Sequence, residues 1–97
     1  MSFKNEYRPY TKEDIESLIP NQKCVYGLFN NDVSIYIGSG DIREEMLAHL
    51  KGDVQCTQQR KVNLWTFEVI AGDPINRENK LINEYRPLCN QQFGGDD

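Results

Sequence analysis

Two tyrosines in short glycine-containing segments are the residues of this chain best suited to chemistry. Tyr26 lies in Cys-Val-Tyr-Gly at 24–27, and Tyr36 begins Tyr-Ile-Gly at 36–38, ten residues later. Because a phenol both donates and accepts hydrogen bonds, these side chains could activate a water molecule or position a phosphate. A free phenol has a pKa of about 10, so a role as base needs help from its neighbours. Aromatic residues are also common in strands, and two tyrosines alone favour that simpler interpretation.

Glu78 is the next candidate, because the helical period puts it on the apolar face of the last predicted helix. Ile75, Ile82 and Tyr85 lie three, four and seven residues away and share that face. A carboxylate there is costly unless it is paired, hydrated or bound to a metal ion. The alternative is a glutamate at the helix edge that reaches solvent or a nearby cation. Helix geometry alone favours the alternative.

These segments closely resemble the GIY-YIG nuclease family, and a third segment strengthens the resemblance. It runs from Glu78 to Asn90 with the spacing Glu-x-x-Leu-Ile-x-x-x-Arg-Pro-x-x-Asn. The match covers roughly residues 23 to 90. It implies an α+β fold with a three-stranded antiparallel sheet flanked by helices. It also implies hydrolysis of DNA phosphodiester bonds by a domain that binds its metal ion through a single glutamate.

The resemblance also implies roles for individual residues. Glu78 would bind Mg²⁺ or Mn²⁺, since magnesium takes only one or two protein carboxylates and keeps several waters. The two tyrosines would act at the water and the phosphate. A glycine at position 38 would let the backbone approach a phosphate closely. The expected set is Tyr26, Tyr36, His49 and Glu78 for catalysis, with Gly38, Arg43 and Asn90 for phosphate binding or site ordering.

One position departs from the family pattern. Members commonly read Leu-Arg-x-Arg in the helix after the second triplet, and the second arginine is catalytic. Here that position carries Glu45 if Ile42-Arg43 is matched to Leu-Arg, and Met46 if no gap is allowed. Arg43 lies about 200° around the helix from Glu45 and cannot simply replace the arginine. Loss of a preorganised cation beside a phosphate typically costs several kcal/mol of transition-state stabilisation. Alternatively, Glu45 could join Glu78 as a second metal ligand.

His49 lies one helical turn after Glu45 and on the same face. Some family members also have a histidine at this point. An imidazole titrates near neutrality, so His49 could serve as a base or a phosphate ligand. A Glu45–His49 pair on the protein surface is an equally good interpretation.

The elements that must position these residues follow from the hydrophobic pattern. A short helix is predicted between an N-cap at Thr11 and a stop at Pro20. Strands are predicted over 23–29 and 33–38, on either side of the turn Asn30-Asn31-Asp32. The next helix runs from a cap at Asp41 to about Lys51, with Gly52 at its end. A polar stretch at 53–61 has room for one helical turn, and a strand follows at 64–70. The last helix has Asp73 as its N-cap and Pro74 in the first position, and it ends near Tyr85.

The loop between the first two strands decides whether the tyrosines share a face. A two-residue loop at Asn31-Asp32 would pair Tyr26 with Ile37 and put the tyrosines on opposite faces. A three-residue loop would pair Tyr26 with Tyr36 and give one wholly apolar face, because side chains alternate with a period of two. We therefore predict the three-residue loop. The apolar face would hold Val25, Gly27, Phe29, Val33, Ile35 and Ile37, and the tyrosine face Cys24, Leu28 and Ser34.

The bulk composition sets the context. Ninety-seven residues suit one domain over 1–97, with the motif-bearing core at 23–90, an N-terminal extension with a short helix at 1–22 and a tail at 91–97. The net charge is −4, and Arg60-Lys61, Arg77 and Lys80 are the only plausible phosphate contacts, although solvated surface is the simpler explanation. Intrinsic DNA affinity should therefore be weak, with targeting left to a protein partner.

The same numbers bear on location. No apolar run approaches the ~20 residues that span a bilayer, and the N-terminus shows no signal-peptide pattern. Cys24, Cys56 and Cys89 are an odd number without metal-like spacing, which is typical of a reduced cytoplasmic protein.

Two functions remain open from the sequence. The first is a metal-dependent DNA endonuclease, slow for want of its arginine. The second is a degenerate module of the same fold that binds nucleic acid or protein. The missing arginine and the acidic charge favour the second, whereas Tyr26, Tyr36, Glu78 and Asn90 favour the first. We favour the enzyme, because a chain freed from catalysis has little reason to keep a costly inward-facing glutamate.

Overall fold

The computed structural model describes residues 3–18, 21–52 and 55–90. They form a four-stranded antiparallel sheet flanked by helices, with the strand order β1-β4-β2-β3. The elements in chain order are β1 (Arg8–Pro9), α1 (Lys12–Glu16), β2 (Lys23–Asn30), β3 (Val33–Asp41), α2 (Ile42–Lys51), α3 (Gln55–Gln59), β4 (Leu64–Val69) and α4 (Ile75–Tyr85). Predicted features at Ile19, Pro20 and the tail 91–97 lie outside the described residues.

The α+β class and its antiparallel sheet are confirmed, but the predicted count of three strands is wrong. The extra strand is β1, which pairs Arg8 with Trp65 and Pro9 with Leu64 on β4. Two residues are too few to show an alternating pattern, so the sequence carried no signal for it. Arg8 is also fixed by Asp14, whose carboxylate it contacts at 2.7 and 2.8 Å.

The register of the β2–β3 hairpin differs from the prediction. Asn30 pairs with Val33, so the loop has two residues, and Ile35 is then passed over between the Leu28–Tyr36 and Phe29–Ser34 pairs. Such a bulge adds one residue to one strand. A two-residue loop alone would put Tyr26 and Tyr36 on opposite faces of the sheet. The extra residue of the bulge reverses this, so the two tyrosines share a face.

Two details of that prediction are therefore wrong. Tyr26 lies opposite Gly38 rather than opposite Tyr36. Ser34 lies opposite Phe29, on the face away from the tyrosines, and Val33 is half exposed.

The sheet separates two apolar clusters, one on each face. The tyrosine face packs against α1 and α2, and the other face packs against α4. The first cluster contains Ile15, Leu18, Cys24, Tyr26, Leu28, Ile42, Met46 and Trp65. The second contains Phe3, Val25, Phe29, Ile37 and Leu81.

The helix boundaries agree with the capping signals to within one residue. The Thr11 side chain accepts from the Asp14 amide, and Asp41 accepts from the Glu44 amide at 3.1 Å. At the end of α2, Gly52 adopts a left-handed conformation with φ of 86°. The helix α4 begins at Ile75, which puts Pro74 at the N-cap position without a side-chain cap. The Asp73 side chain still makes the predicted capping contact, because its Oδ1 accepts from the Ile75 amide at 3.0 Å.

The cysteine prediction is wrong for two of the three thiols. Cys56 and Cys89 form a disulfide, while Cys24 is free and buried. The two bonded cysteines are 33 residues apart, and only the fold brings them together. Among the helices of the described ranges, none combines the length and apolarity needed to cross a membrane.

Candidate active site

Tyr26 is at the centre of a hydrogen-bonded network beneath α2. Its ring is fully buried in the middle of β2. Its hydroxyl donates to Glu45 Oε1 at 3.0 Å and lies 3.0 Å from His49 Nε2. The other ring nitrogen, His49 Nδ1, lies 3.2 Å from Thr57 Oγ1 on α3. A chain of polar contacts thus runs from Tyr26 on β2 through His49 on α2 to Thr57 on α3.

The helix α2 presents Glu45 and His49 to this phenol because they are four residues apart, on one face. His49 is only 5% exposed, so the interpretation of Glu45 and His49 as a surface pair is wrong. Tyr26 stands between the carboxylate and the imidazole and bonds to both.

The proton positions in the network follow from the single hydrogen of the phenol. Since Tyr26 donates that hydrogen to Glu45, its oxygen must accept from His49 Nε2–H. In a neutral imidazole Nδ1 then carries no proton and accepts from the Thr57 hydroxyl. The phenol oxygen keeps one further lone pair for another donor.

Tyr36 forms the outer part of the same face. Its ring centroid is 6.2 Å from that of Tyr26 and 5.1 Å from that of His49. Tyr36 is only partly buried, whereas Tyr26 is fully enclosed. Of the two phenols, Tyr36 is the one that an incoming ligand meets first.

Gly38 makes room for the Tyr26 phenol across the hairpin. A Cβ atom at this position would lie 2.6 Å from Tyr26 Oη and 2.8 Å from its Cζ. Real Cβ atoms essentially never come so close to another heavy atom. The glycine of the second triplet therefore has a steric reason inside the protein.

Glu78 approaches the tyrosines from α4. Its Oε1 accepts a hydrogen bond from the Ser39 hydroxyl. Ser39 lies opposite Val25, on the face of the sheet that α4 covers, while β3 is the edge strand. The carboxylate is partly exposed, and its charge is near enough to raise the pKa of Tyr36.

Burial is the main electrostatic influence on both phenols. It raises the pKa of Tyr26 well above the ordinary value, and the neighbouring Tyr36, Glu45 and Glu78 raise it further. Burial also raises the pKa of Tyr36, with Glu78 and then Glu45 adding to the effect. Both side chains therefore stay protonated at neutral pH. Neither can act as a pre-formed phenolate base.

Two of the predicted cations, Arg43 and Arg77, lie in different surroundings. Arg43 is partly buried in the first turn of α2, and within the described residues it forms no hydrogen bond or salt bridge. Arg77 binds Glu68 through two hydrogen bonds of 2.9 and 3.0 Å, so its interpretation as a phosphate contact is wrong. In the same part of the chain, neither Glu45 nor Glu78 forms a salt bridge.

Asn90 pairs with the backbone of β3 between the second tyrosine and its glycine. Its Oδ1 accepts from the Ile37 amide at 2.7 Å, and its Nδ2 donates to the Ile37 carbonyl at 2.9 Å. A side-chain amide thus takes the place of a neighbouring strand at the sheet edge. This fixes the backbone that carries Tyr36 and Gly38.

Two polar residues of the site carried no chemical signal in the sequence. Ser39 could have been inferred from strand alternation, which puts it on the α4 face of β3. Thr57 lies in a polar stretch without periodicity, and its position follows from tertiary contacts, among them the disulfide of its neighbour Cys56.

The donor atoms at Glu78 suit a hard divalent cation. Its carboxylate and the Ser39 hydroxyl are oxygen donors, as Mg²⁺ and Mn²⁺ prefer. Across the described ranges, no group of three or more His, Cys, Asp or Glu side chains could hold a metal ion. A cation here would therefore rely on Glu78, with water or substrate oxygens in the rest of its shell.

The antiparallel sheet and its flanking helices match the fold of a GIY-YIG endonuclease domain. The chain is similar to the crystal structure of the GIY-YIG N-terminal endonuclease domain of UvrC from Thermotoga maritima, bound to magnesium as its catalytic divalent cation. The TM-score is 0.68 at 24% identity, over 81% of this chain and 98% of that domain.

Point mutants of that domain give the same result. A tyrosine-to-phenylalanine mutant has a TM-score of 0.68 at 23% identity, over 81% of this chain and 98% of that one. An asparagine-to-alanine mutant has a TM-score of 0.68 at 24% identity, over 81% of this chain and 97% of that one. Both contain the catalytic divalent cation. No protein-family model matches the chain, and no curated protein matches it significantly. At these identities the likeness establishes the fold.

Proposed function

We propose that this chain is a metal-dependent endonuclease that hydrolyses DNA phosphodiester bonds. The observation that carries the proposal is the placement of Glu78, a carboxylate without a salt bridge in the described residues. It binds Ser39, directly after the Tyr36–Gly38 segment of the edge strand, and its charge raises the pKa of both Tyr26 and Tyr36. The similar structures of the UvrC domain, an endonuclease with a catalytic divalent cation, support the same class of reaction.

Glu78 would hold Mg²⁺ or Mn²⁺ with Ser39 as its hydrogen-bonding partner. The ion, when bound, stabilises negative charge on the phosphate and on the departing oxygen. Glu45 remains a candidate second ligand through its Oε2 atom, because Oε1 already accepts from Tyr26.

Tyr26 and Glu45 would move the proton of the attacking water. The high pKa of Tyr26 excludes a stored phenolate, so the water gives its proton to Tyr26 Oη as the phenol gives its own to Glu45 Oε1. The phenol is neutral before and after this relay. His49 Nε2–H occupies one lone pair of the phenol oxygen and leaves the other for the water.

Access to that oxygen requires a small rearrangement. Tyr26 is fully buried, and the partly exposed Tyr36 ring is its neighbour on the outer side. The water reaches Tyr26 when the Tyr36 ring moves aside. Tyr36 would then donate to a phosphate oxygen, while Asn90 keeps the β3 backbone in place and Gly38 leaves room for the Tyr26 phenol. Arg43 would reach the phosphate only through its long side chain.

The acidic charge of the chain limits its affinity for DNA. With 11 Lys and Arg against 15 Asp and Glu residues, it neutralises few phosphates. We propose that a protein partner brings this domain to its DNA. The sequence-based expectation of a cytoplasmic protein depends on free thiols, and the Cys56–Cys89 disulfide removes that basis. We also propose that residues 1–97 form a single domain.

Cleavage assays on plasmid, single-stranded and branched DNA with Mg²⁺ or Mn²⁺ test the function. We expect slow cleavage by the wild type and none by Glu78→Ala. Glu84→Ala is the matched control, since it removes the same charge from an exposed position of the same helix and should still cut. Calorimetry should show that Glu78→Ala alone loses the metal. A wild type that neither cuts nor binds metal would refute the proposal.

A binding module is the second candidate. The full burial of Tyr26 and the glutamate at the expected arginine position favour it. It would bind a nucleic-acid or protein partner without metal and without cleavage. DNA binding by gel shift in the absence of divalent cations, unchanged in Glu78→Ala, would support the module over the enzyme.

A further inference from the structure

The Cys56–Cys89 disulfide joins two segments that each support the candidate site. Thr57 follows Cys56, is 3% exposed and contacts His49 Nδ1 at 3.2 Å. Asn90 follows Cys89 and pairs with the Ile37 backbone at 2.7 and 2.9 Å. One covalent bond thus lies next to both supports of the tyrosine face, one beneath α2 and one at the edge of β3.

We infer that the disulfide is a positioning device for this site, with Thr57 as the residue through which it orients His49. Reduction of the bond releases Thr57 from the imidazole and loosens the Asn90 clamp on β3. The consequence for DNA cleavage rests on the proposed function, whereas the consequence for His49 does not.

The local structure shows why a covalent bond matters at this point. The helix α3 has five residues, and so short a helix is not stable by its own hydrogen bonds. Its position must come from tertiary contacts. The disulfide ties α3 to the segment after α4, 33 residues further along the chain. Without that bond, the position of Thr57 depends on noncovalent packing alone.

The two cysteines differ in exposure, which favours one order of steps in the reduction. Cys89 is fully buried and Cys56 is partly exposed. A thiolate of a small dithiol attacks Cys56 Sγ, the Sγ–Sγ bond breaks, and Cys89 leaves as a thiolate that takes a proton. The second thiol of the reagent then displaces Cys56, which is also protonated. Two electrons pass from the dithiol, which becomes a cyclic disulfide, to the two cysteines.

His49 is the only histidine of the chain, so its imidazole is an unambiguous NMR probe. In the oxidised protein we expect the Nε2–H tautomer, read from the two ring ¹⁵N shifts. Treatment with dithiothreitol should shift these signals towards a mixture of tautomers, and reoxidation should restore them. Cleavage should slow by about tenfold or more on reduction, since small misplacements in an active site have effects of this size.

Substitutions separate positioning from folding. Thr57→Ala, with the disulfide intact, should change the His49 tautomer, and Thr57→Ser should restore it. The double variant Cys56→Ala/Cys89→Ala should resemble the reduced protein and ignore dithiothreitol. Cys24→Ala is the control, because it removes only the free thiol and should keep the redox response.

Two results would overturn the inference. One is an unchanged His49 spectrum in Thr57→Ala. The other is an unchanged spectrum after complete reduction with the fold intact by circular dichroism, which would leave the disulfide as a staple only. If oxidised protein does not cut DNA at all, the proposed function fails, but the His49 spectra still decide this inference.

Discussion

At the scale of single residues, Glu45 is the main departure of this chain from the GIY-YIG pattern, which has an arginine at that position. A carboxylate beside a phosphate is repulsive, yet Glu45 has a defined partner in the Tyr26 hydroxyl. An arginine at this position could only donate to the phenol oxygen, whereas a carboxylate accepts the proton of the phenol. The substitution thus changes the chemistry around the first tyrosine as well as removing a charge.

The variant Glu45→Gln tests this role. Glutamine still accepts a hydrogen bond from Tyr26 but cannot take its proton at neutral pH. We expect cleavage to slow by about a hundredfold, within the usual range for loss of a general base. Glu44→Ala, an exposed neighbour in the same helical turn, should cut at the wild-type rate. Faster cleavage by Glu45→Gln would show instead that Glu45 only repels the phosphate.

At the scale of elements, the hairpin shows what a pattern can and cannot predict. Alternation correctly predicts that Tyr26 and Tyr36 share a face, because only that arrangement buries one apolar side. It cannot distinguish a three-residue loop from a two-residue loop with a bulge, since both add one residue. The structure uses the second, at Ile35. Local sequence therefore predicts which face of the sheet a side chain occupies, but it does not predict which residues pair across the hairpin.

The contacts around the site were less predictable for a related reason. Helical spacing puts Glu45 and His49 on one face, but nothing local shows that Tyr26 fills the space between them. Ser39 and Thr57 come into the site from β3 and α3, through packing between elements distant in sequence. The Cys56–Cys89 bond is of the same kind, since composition alone favoured free thiols.

The Glu68–Arg77 pair connects β4 with α4. Its two hydrogen bonds are 2.9 and 3.0 Å long, and the side chains are only 8% and 16% exposed. Glu68 also accepts from the Lys4 amide at 2.9 Å, which fastens the N-terminal segment. These contacts hold the start of α4, and with it Glu78, against the sheet.

Removal of that carboxylate should therefore destabilise the fold. We expect Glu68→Ala to lower the free energy of unfolding in urea by about 3 kcal/mol, because it removes the carboxylate to which the largely buried Arg77 guanidinium donates two hydrogen bonds. The matched control is Glu16→Ala, which breaks the exposed Lys12–Glu16 pair at 4.0 Å. That loss should be under about 0.5 kcal/mol. Equal effects of the two variants would contradict the assigned importance of Glu68.

At the scale of the whole molecule, stability against acid depends on two paired carboxyl groups. The Arg8 guanidinium lowers the pKa of Asp14 below its usual value of 3.8. Burial of Glu68 acts the other way, but hydrogen bonds from Arg77 and the Lys4 amide prevail and lower its pKa below 4.5.

Both carboxyl groups therefore take up protons in the unfolded chain before the folded one, and this destabilises the fold in acid. We expect the free energy of unfolding to decline as the pH falls through about 4.5 and 3.8. Urea unfolding of wild type and Arg8→Ala, compared from pH 3 to 6, measures it. Arg8→Ala should show a smaller decline, and an identical pH dependence would exclude the Asp14 contribution.

At alkaline pH the free energy of unfolding also declines, but there the pH is rising and the groups responsible are phenols and a thiol. Burial raises the pKa of Tyr10 to about 12 and that of the Cys24 thiol to about 11, and it also raises those of Tyr26 and Tyr36. The unfolded chain loses these protons near the ordinary values of 9.0 and 10.0, while the folded protein keeps them. Ionisation therefore favours the unfolded state, and stability is lost as the pH rises past about 9.

Urea unfolding between pH 7 and 11 measures this loss, and Tyr10→Phe identifies one source of it. Without the phenol, the variant should lose less stability between pH 10 and 11 than the wild type does. Cleavage should fail over the same interval only through unfolding, because the Tyr26 relay uses a phenol that stays protonated. A rate that rises steeply towards pH 10 in folded protein would instead indicate a phenolate base and contradict the relay.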